Sequence, residues 1–335
     1  GDKLHPSLLQ LLFVKRGQAT SACPHLTPHN GAMRILAIES SCDETAAAIL
    51  DREGRVLSSM VSSQIKVHAP YGGVVPEIAA RHHLEAIDPV VREACARAGM
   101  ALEDIEGIAV TKGPGLIGCL LVGVTAARAM ALTLDVPIVG VNHLEGHVVS
   151  GWLERPWLPY PALALVVSGG HSAIWRVEKP GSYEQLARTR DDAAGEAFDK
   201  VAKMLGLPYP GGPTIDRLAE KGDPLAVRFG EVRIKGEEAF SFSGYKTAVR
   251  THLQKSGLAP LAHPEDEPSQ EMLDLVASLR HAIVRELLRR VSRAVERERP
   301  RALVVAGGVA ANRLLRREAT RLADEQHPGV FGKPM

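Results

Sequence analysis

Ile35-Leu-Ala-Ile38, Glu39-Ser-Ser-Cys-Asp-Glu44, Thr45-Ala-Ala-Ala-Ile-Leu50 reads as strand, turn, strand. The same design returns further on as Ala162-Leu-Ala-Leu-Val-Val167, Ser168-Gly-Gly-His171, Ser172-Ala-Ile-Trp-Arg-Val177. Short apolar runs bounded by small polar residues are strand signals. Ser40 and Ser168 hold equivalent places, so the hairpins are expected to open two similar halves, an internal duplication. A turn of hydroxyl and glycine residues also lets a ligand approach the backbone, whose N–H groups can hold phosphate oxygens.

Outward from the first hairpin, Asp51-Arg-Glu-Gly54 turns into a third strand over Val56–Ser62. Then come a helix through Pro76–Ala98, a strand at Ile105–Thr111, a helix at Leu116–Leu134, a strand at Pro137–Val141 and a helical histidine segment. The second half predicts helices at Ala194–Leu205 and Met272–Arg299, a strand at Ala302–Val305, and a helix from Arg313 to about Glu325. Leu258–Gln270, rich in prolines and acids, is expected to be a loop. Alternating strands and helices predict an α/β chain with lobes at 33–150 and 151–335. Residues 1–32 lack this patterning; Met33 is the expected natural start, with a flexible tail as the alternative.

With 335 residues, 45% hydrophobic and 24% charged, the chain has the composition of a globular enzyme and enough apolar residues for two cores. A net charge of +1 excludes a global field for nucleic acid or membrane, so such a partner would need a local patch. Aromatic residues, at 4%, argue against a broad base-stacking platform. Cys23, Cys42, Cys95 and Cys119 show no C-x-x-C and read as reduced thiols of a cytoplasmic protein. No uninterrupted apolar run reaches the ~18–20 residues of a membrane helix. Leu8–Val14 is broken by Gln10 and is not followed by a signal-cleavage pattern, so no membrane association is expected.

Gly113-Pro-Gly115-Leu-Ile-Gly118 matches G-x-G-x-x-G, but no acid closes a second strand at the required distance. A close strand–helix packing turn is the expected reading. His143-Leu-Glu-Gly-His147 puts imidazoles at i and i+4 on one helical face, a metal-chelating spacing that surface histidines also show. Glu145 lies roughly 200° around the helix from His143, so the general base of a zinc protease is missing. His82 and His83, adjacent and facing different ways, read as structural.

Glu196 and Asp199 share a helical face near Pro210-Gly-Gly-Pro213, which suits a ribose or a metal-bound phosphate, although acids early in a helix also complement its dipole. Phe240-Ser-Phe-Ser-Gly-Tyr-Lys246 reads equally as an edge strand with a turn or as a site. Arg280, Arg285, Arg289, Arg290, Arg293 and Arg297 alternate with Glu286, Glu296 and Glu298; a solvated helix face is expected before an RNA contact.

Taken in order, Ile38-Glu-Ser-Ser-Cys-Asp-Glu-Thr45, Tyr71-Gly-Gly-Val-Val-Pro-Glu77, Gly113-Pro-Gly115, His143–His147, Val167-Ser-Gly-Gly-His171, Asp191–Lys200, Tyr209-Pro-Gly-Gly-Pro213, Phe240–Lys246 and Ala306-Gly-Gly-Val-Ala-Ala-Asn312 closely resemble one family. It is the bacterial tRNA threonylcarbamoyladenosine synthase catalytic subunit (TsaD) family, formerly labelled O-sialoglycoprotein endopeptidase, and the resemblance runs from Met33 to about Glu325.

The resemblance implies a two-lobed actin/hexokinase/Hsp70-like ATPase fold. It implies transfer of a threonylcarbamoyl group from threonylcarbamoyl-AMP to N6 of adenosine 37 in tRNAs that read codons beginning with A. Carried over by motif, the metal ligands, for Fe2+ or Zn2+, fall on His143 and His147. The substrate contacts fall on Val166, Val167, Ser168, Gly169, Gly170, Asp199, Gly212, Asp216 and Asn312, with ATP or ADP as further ligands. Implied partners are tRNA, a non-catalytic paralogue (TsaB-like) that dimerises with the first lobe, and a small P-loop ATPase (TsaE-like). No general base is assigned.

The family continues into a further strand and a Cys-Thr-Asp-Asn-Ala-like segment whose aspartate is a third metal ligand. This chain departs near Gln326 and runs His327-Pro-Gly-Val-Phe-Gly-Lys-Pro-Met335, and Asp324 does not match that context. A truncated reading frame and weaker metal binding are the expectations, because divalent-metal sites usually have three or more protein ligands. Alternatives are an impaired family member that only binds partners, a metallopeptidase, and a sugar kinase on the same fold.

Overall fold

The computed structural model describes residues 33–230 and 239–326; the expected leader before Met33 and the tail after Gln326 lie outside the described residues. The chain divides into two compact units, one up to Leu153 and one from Glu154.

The first unit runs β1 (Ile35–Glu39), β2 (Glu44–Leu50), β3 (Val56–Ser63), α1 (Ile65–His68), α2 (Pro76–Arg97), β4 (Gly107–Gly113), α3 (Ile117–Leu134), β5 (Ile138–Asn142) and α4 (His143–Glu154). Its sheet has the order β3-β2-β1-β4-β5. The β1–β2 hairpin is antiparallel, pairing Ile35 with Leu50 and Glu39 with Ala46, whereas β4 lies parallel to both β1 and β5. Alternation sends Leu36, Ile38, Ile49, Ile108 and Val110 to one face, where they pack with Ile87, Val91 and Ala94 of α2 and Ala127 and Ala131 of α3. Ala37, Ala46, Ala48, Leu50, Ala109 and Val141 form a cluster of their own. Both sets are buried, which is why these strands read as continuous apolar runs.

The second unit runs β6 (Ala162–Val167), β7 (Ser172–Lys179), β8 (Ser182–Arg188), α5 (Ala194–Met204), α6 (Gly211–Leu218), α7 (Ser243–Ser256), α8 (Gln270–Glu298), β9 (Ala302–Ala306) and α9 (Arg313–Gln326). Its sheet, β8-β7-β6-β9, repeats the first: a hairpin pairing Ala162 with Val177 and Val167 with Ser172, a third antiparallel strand, and a later strand parallel to β6. A counterpart of β5 is absent among the described residues. Leu163, Leu165 and Val167 pack with Phe198 and Val201 of α5 and with Leu275, Leu279 and Ile283 of α8. The duplicated hairpins therefore open two sheets of matching topology.

Several elements differ from the sequence reading. β4 begins at Gly107 because Ile105 closes a 3-10 turn over Leu102–Asp104, its N–H donating to Leu102 O. β8 escaped because it is a mostly exposed edge strand with one buried residue, Ala187. The Phe240–Lys246 stretch is not an edge strand and turn. Phe240 makes one bridge to Thr189, and a helix starts at Ser243. Asp191 holds that start, accepting from Phe242 N at 2.8 Å, Ser241 Oγ at 2.5 Å and Ser243 Oγ at 2.7 Å.

The solvated-face reading of the arginine helix is also corrected. Buried residues recur along the whole of α8, and Arg280 and Arg290 are only 5% and 3% exposed. Arg290 Nε donates to Glu286 Oε1 at 3.0 Å and Arg289 Nη2 to Oε2 at 2.7 Å, so paired charges enter the interior. Arg285, Arg293 and Arg297 are exposed.

The 18 residues of α3 have a mean hydropathy of 1.8, long and apolar enough by composition to cross a membrane. Cys119, Leu120, Gly123, Ala127 and Ala131 are buried, and the helix packs one face on α2 and β4. Ile117, Leu121 and Leu132 on the same helix are exposed.

Two buried histidines pin the first unit. His83 donates from Nε2 to Cys42 O at 2.9 Å and shares a 2.7 Å bond between Nδ1 and Thr45 Oγ1. His68 Nδ1 accepts from Val75 N at 3.3 Å, leaving Nε2–H to donate to Gln64 Oε1 at 3.1 Å. Burial lowers the pKa of both, although Asp43 pulls each upward. A histidine neutral when folded but protonated when unfolded stabilises the fold fully above about pH 6.5, and the contribution is lost as pH falls below that. The melting temperature is therefore expected to drop between pH 7 and 5, and His83→Gln to make that drop shallower. An equally steep profile in the variant would refute this role for His83.

Candidate functional site

Three neighbouring strand ends build the first cluster. Ile38 pairs with Val110, which brings Glu39 at the end of β1 beside Thr111 of β4. Thr111 in turn pairs with Val141 of β5, just before α4 opens at His143. Asn142 stops β5 and caps α4, its Oδ1 accepting from Leu144 N at 2.8 Å and Glu145 N at 3.4 Å. One turn of α4 then stacks the His143 and His147 rings edge to face, with centroids 4.7 Å apart and planes at 78°. His147 is buried.

Glu39, 2% exposed, reaches across this row. Its Oε2 accepts from Thr111 Oγ1 at 2.5 Å and lies 3.2 Å from His143 Nδ1, and its Oε1 accepts from Ser41 N at 2.5 Å. Ser41 Oγ lies 3.1 Å from the same Nδ1. Burial works to raise the Glu39 pKa; the hydrogen bond and charge of His143, with the Thr111 and Ser41 bonds, outweigh it and bring the group down to about 2. A carboxylate only accepts, so Nδ1 of His143 carries the hydrogen of this bond. Burial raises the Glu145 pKa, opposed by the charge of Lys112.

The Gly113–Gly118 turn packs against the same hairpin. Leu116 N donates to Ser41 O at 2.8 Å, Ser40 Oγ donates to Cys119 O at 2.9 Å, and a Cβ on Gly115 would sit 2.6 Å from Ser41 O. Its glycines are spent on close approach, the expected packing turn.

Two imidazoles on one helical turn, one oriented by a buried carboxylate, fit two positions of a divalent metal. Among the described residues no group of three or more His, Cys, Asp and Glu side chains is placed to hold one. The third, aspartate ligand that the resemblance adds has no counterpart there.

The second unit assembles the other expected residues into a ring. Val166 and Val167 are fully buried in β6. Ser168 N donates to His171 O at 2.8 Å and His171 N to Ser168 Oγ at 3.2 Å, closing the turn over Gly169 and Gly170. α5 starts against this turn, where a Cβ on Gly195 would lie 2.5 Å from Ser168 O. One turn on, Asp199 Oδ1 accepts from Gly211 N at 2.8 Å and Gly212 N at 3.3 Å, capping α6. Glu196 instead pairs with Lys200 at 2.9 Å, so the two acids expected to act together are separated.

Asp216 of α6 accepts from Arg280 Nη1 at 2.9 Å and from Arg313 N at 3.2 Å. Asn312 Oδ1 caps α9 through Leu315 N at 3.0 Å. Gly307, at φ 95°, returns to the Val167 carbonyl, where a side chain would collide, and so closes the ring. Above Gly169, Gly170, Gly212 and Gly308 there is open space where a Cβ would stand.

Sequence reasoning passed over Glu39, Thr111 and Arg280 as individuals. The signal was present: an acid ending an all-apolar strand, and an arginine inside an apolar helix stretch, each require a buried partner.

Residues 55–331 match the model of the family described as TsaD, tRNA N6-adenosine threonylcarbamoyltransferase. The protein of that name from Geotalea uraniireducens (strain Rf4) is 54% identical over 294 residues, 87% of this chain and 83% of that one. Its counterpart from Anaeromyxobacter dehalogenans (strain 2CP-C) is 52% identical over 304 residues, 90% and 89% of the two chains. Among solved structures, T. kodakarensis HypF superposes with a TM-score of 0.59 at 14% identity, covering 90% of this chain and 45% of that one. A likeness at that identity concerns the fold alone.

The ring's most consequential link is the buried Asp216–Arg280 pair, which Glu220 also joins. Asp216→Asn leaves Arg280 under-compensated and is expected to cost ~3 kcal/mol in chemical denaturation. A loss below about 1 kcal/mol would mean that Glu220 alone satisfies the guanidinium.

Proposed function

This chain belongs to the tRNA N6-adenosine threonylcarbamoyltransferase family, and we propose from that premise that its metal pair is His143 and His147 and its adenylate ring is the one closed by Ser168–Gly170, Asp199, Gly212, Asp216 and Asn312. The chain is a transferase that forms threonylcarbamoyladenosine at position 37 of tRNAs reading codons that begin with A. Each unit opens on the hairpin of the actin/hexokinase/Hsp70-like ATPase fold.

The donor is a mixed carboxylic–phosphoric anhydride, so it arrives activated. N6 of adenosine bonds to the carbamoyl carbon, the carbon–oxygen bond to phosphate breaks, AMP leaves, and N6 gives up a proton. The chain has chiefly to hold the donor and polarise its carbonyl. The backbone N–H groups of Gly169 and Gly170, beside open space, suit the phosphate. Asp199 and Asp216 act there by holding the starts of α6 and α9, with Gly212 and Asn312, in place. An iron or zinc ion on His143 and His147 would supply a Lewis acid when bound. The observation that carries this reading is the contact circuit itself: residues spread from Val166 to Asn312 meet end to end.

The same reading includes the noncatalytic paralogue as partner of the first unit, supported by the exposed apolar Leu84 of α2 and Ile117, Leu121 and Leu132 of α3. It also includes tRNA and the small P-loop ATPase. A cytoplasmic location goes with it, supported by the free thiols Cys42, Cys95 and Cys119.

Incubated with the two partner proteins, ATP, threonine, bicarbonate and unmodified tRNA, the chain is expected to yield the modified nucleoside by mass spectrometry. His143→Ala and His147→Ala should each lower the yield by about 100-fold or more. Full activity in both variants would remove the metal assignment, and no product from the unaltered chain would remove the ring assignment with it.

A further inference from the structure

We infer that Glu39 is a positioning residue for His143, a buried carboxylate that fixes which ring nitrogen the imidazole presents. The inference rests on reading His143 and His147 as the metal pair, and adds what makes one of them competent. Glu39 Oε2 and Ser41 Oγ, at 3.2 and 3.1 Å, share the Nδ1 hydrogen of His143. Ser41 Oγ could also donate to a bare Nδ1, but Glu39 could not, because the alternative tautomer would aim a lone pair at the carboxylate. The carboxylate is itself fixed, by Thr111 Oγ1 at 2.5 Å on one oxygen and Ser41 N at 2.5 Å on the other. Donors from β4, the β1–β2 turn and the start of α4 thus converge on one group that is 2% exposed.

This is more than a fold requirement. An acid ending a buried strand serves burial less well than an apolar residue would, and Glu39 is bonded to Thr111 and Ser41 within its own sheet and turn. The extra reach to His143 orients a side chain on a different element, the first residue of α4. Metal-binding histidines elsewhere depend on such carboxylate partners, whose loss typically weakens metal binding 10–100-fold. Glu39 itself need not touch the metal or the substrate.

The test compares unaltered full chain with Glu39→Gln, Thr111→Val, His143→Ala and His147→Ala, using zinc alone as probe in competition titration. Histidine-labelled metal-free protein reports the His143 tautomer by nitrogen NMR. The unaltered chain is expected to hold a single Nδ1–H tautomer; Glu39→Gln should mix the tautomers and weaken zinc binding about 10–100-fold. Thr111→Val keeps the carboxylate but frees Oε2, and should weaken binding by a smaller factor of a few, so it decides the matter if Glu39→Gln does not fold. Zinc affinity and tautomer both unchanged in Glu39→Gln, or in Thr111→Val where that is the only folded variant, would overturn the inference. Zinc affinity unchanged in both histidine variants would instead overturn the metal reading beneath it.

Discussion

A carboxylate held at 2% exposure has to be compensated, and Glu39 is compensated by three adjacent strand ends at once. An ionised group in such a place costs several kcal/mol unless hydrogen bonds replace its water. Here the hydrogen bond and charge of His143 do most to offset burial, and the Thr111 and Ser41 bonds complete the shell, so the group stays charged. That arrangement needs β1, β4 and β5 parallel and in register, which places their carboxyl ends side by side. Side chains at the carboxyl ends of parallel strands are where open α/β sheets usually carry their chemistry. The row Glu39, Thr111, His143 is that rule expressed in residues.

The second unit keeps the topology and changes the strand end. β6 finishes in Val167 and passes directly to Ser168-Gly-Gly, so backbone N–H groups take the place of the acid. Its buried charge has moved one layer out, to Asp216 on α6, where Arg280 from α8 and the start of α9 meet it. One copy of the hairpin therefore orients an imidazole and the other leaves an open turn suited to phosphate. A duplication whose halves differ in this way can divide labour between metal and nucleotide without a new fold.

The hairpins, both sheets and most helices were legible because apolar periodicity reports burial directly. What failed did so for identifiable reasons. β8 lies at a sheet edge and carries one buried residue, so it has little pattern to read. The Gly211-Gly-Pro213 stretch looks like a turn, yet Asp199 caps it into a helix from a position twelve residues away, which no local window can see. The arginines of α8 looked solvated because charge pattern along a helix does not show what lies across from it. Arg280 is buried only because Asp216 and Glu220 come from another element. The His143–His147 pair was legible from spacing; Glu39 was not, since its partner lies more than a hundred residues away.

Glycine shows most sharply where sequence and structure part. The motifs around Gly115 and Gly170 look alike on paper, and both invite a phosphate reading. In the fold, a side chain on Gly115 would strike the Ser41 carbonyl, whereas one on Gly170 would meet nothing within 4 Å. The first glycine is required by packing of the chain against itself, and that contact is already full. The second leaves room above its turn. A glycine without room for a side chain is fixed by the protein's own packing, and one with room is not. The first unit's Gly113–Gly118 turn thus belongs with the hairpin it supports, and the proposed nucleotide site falls in the second unit.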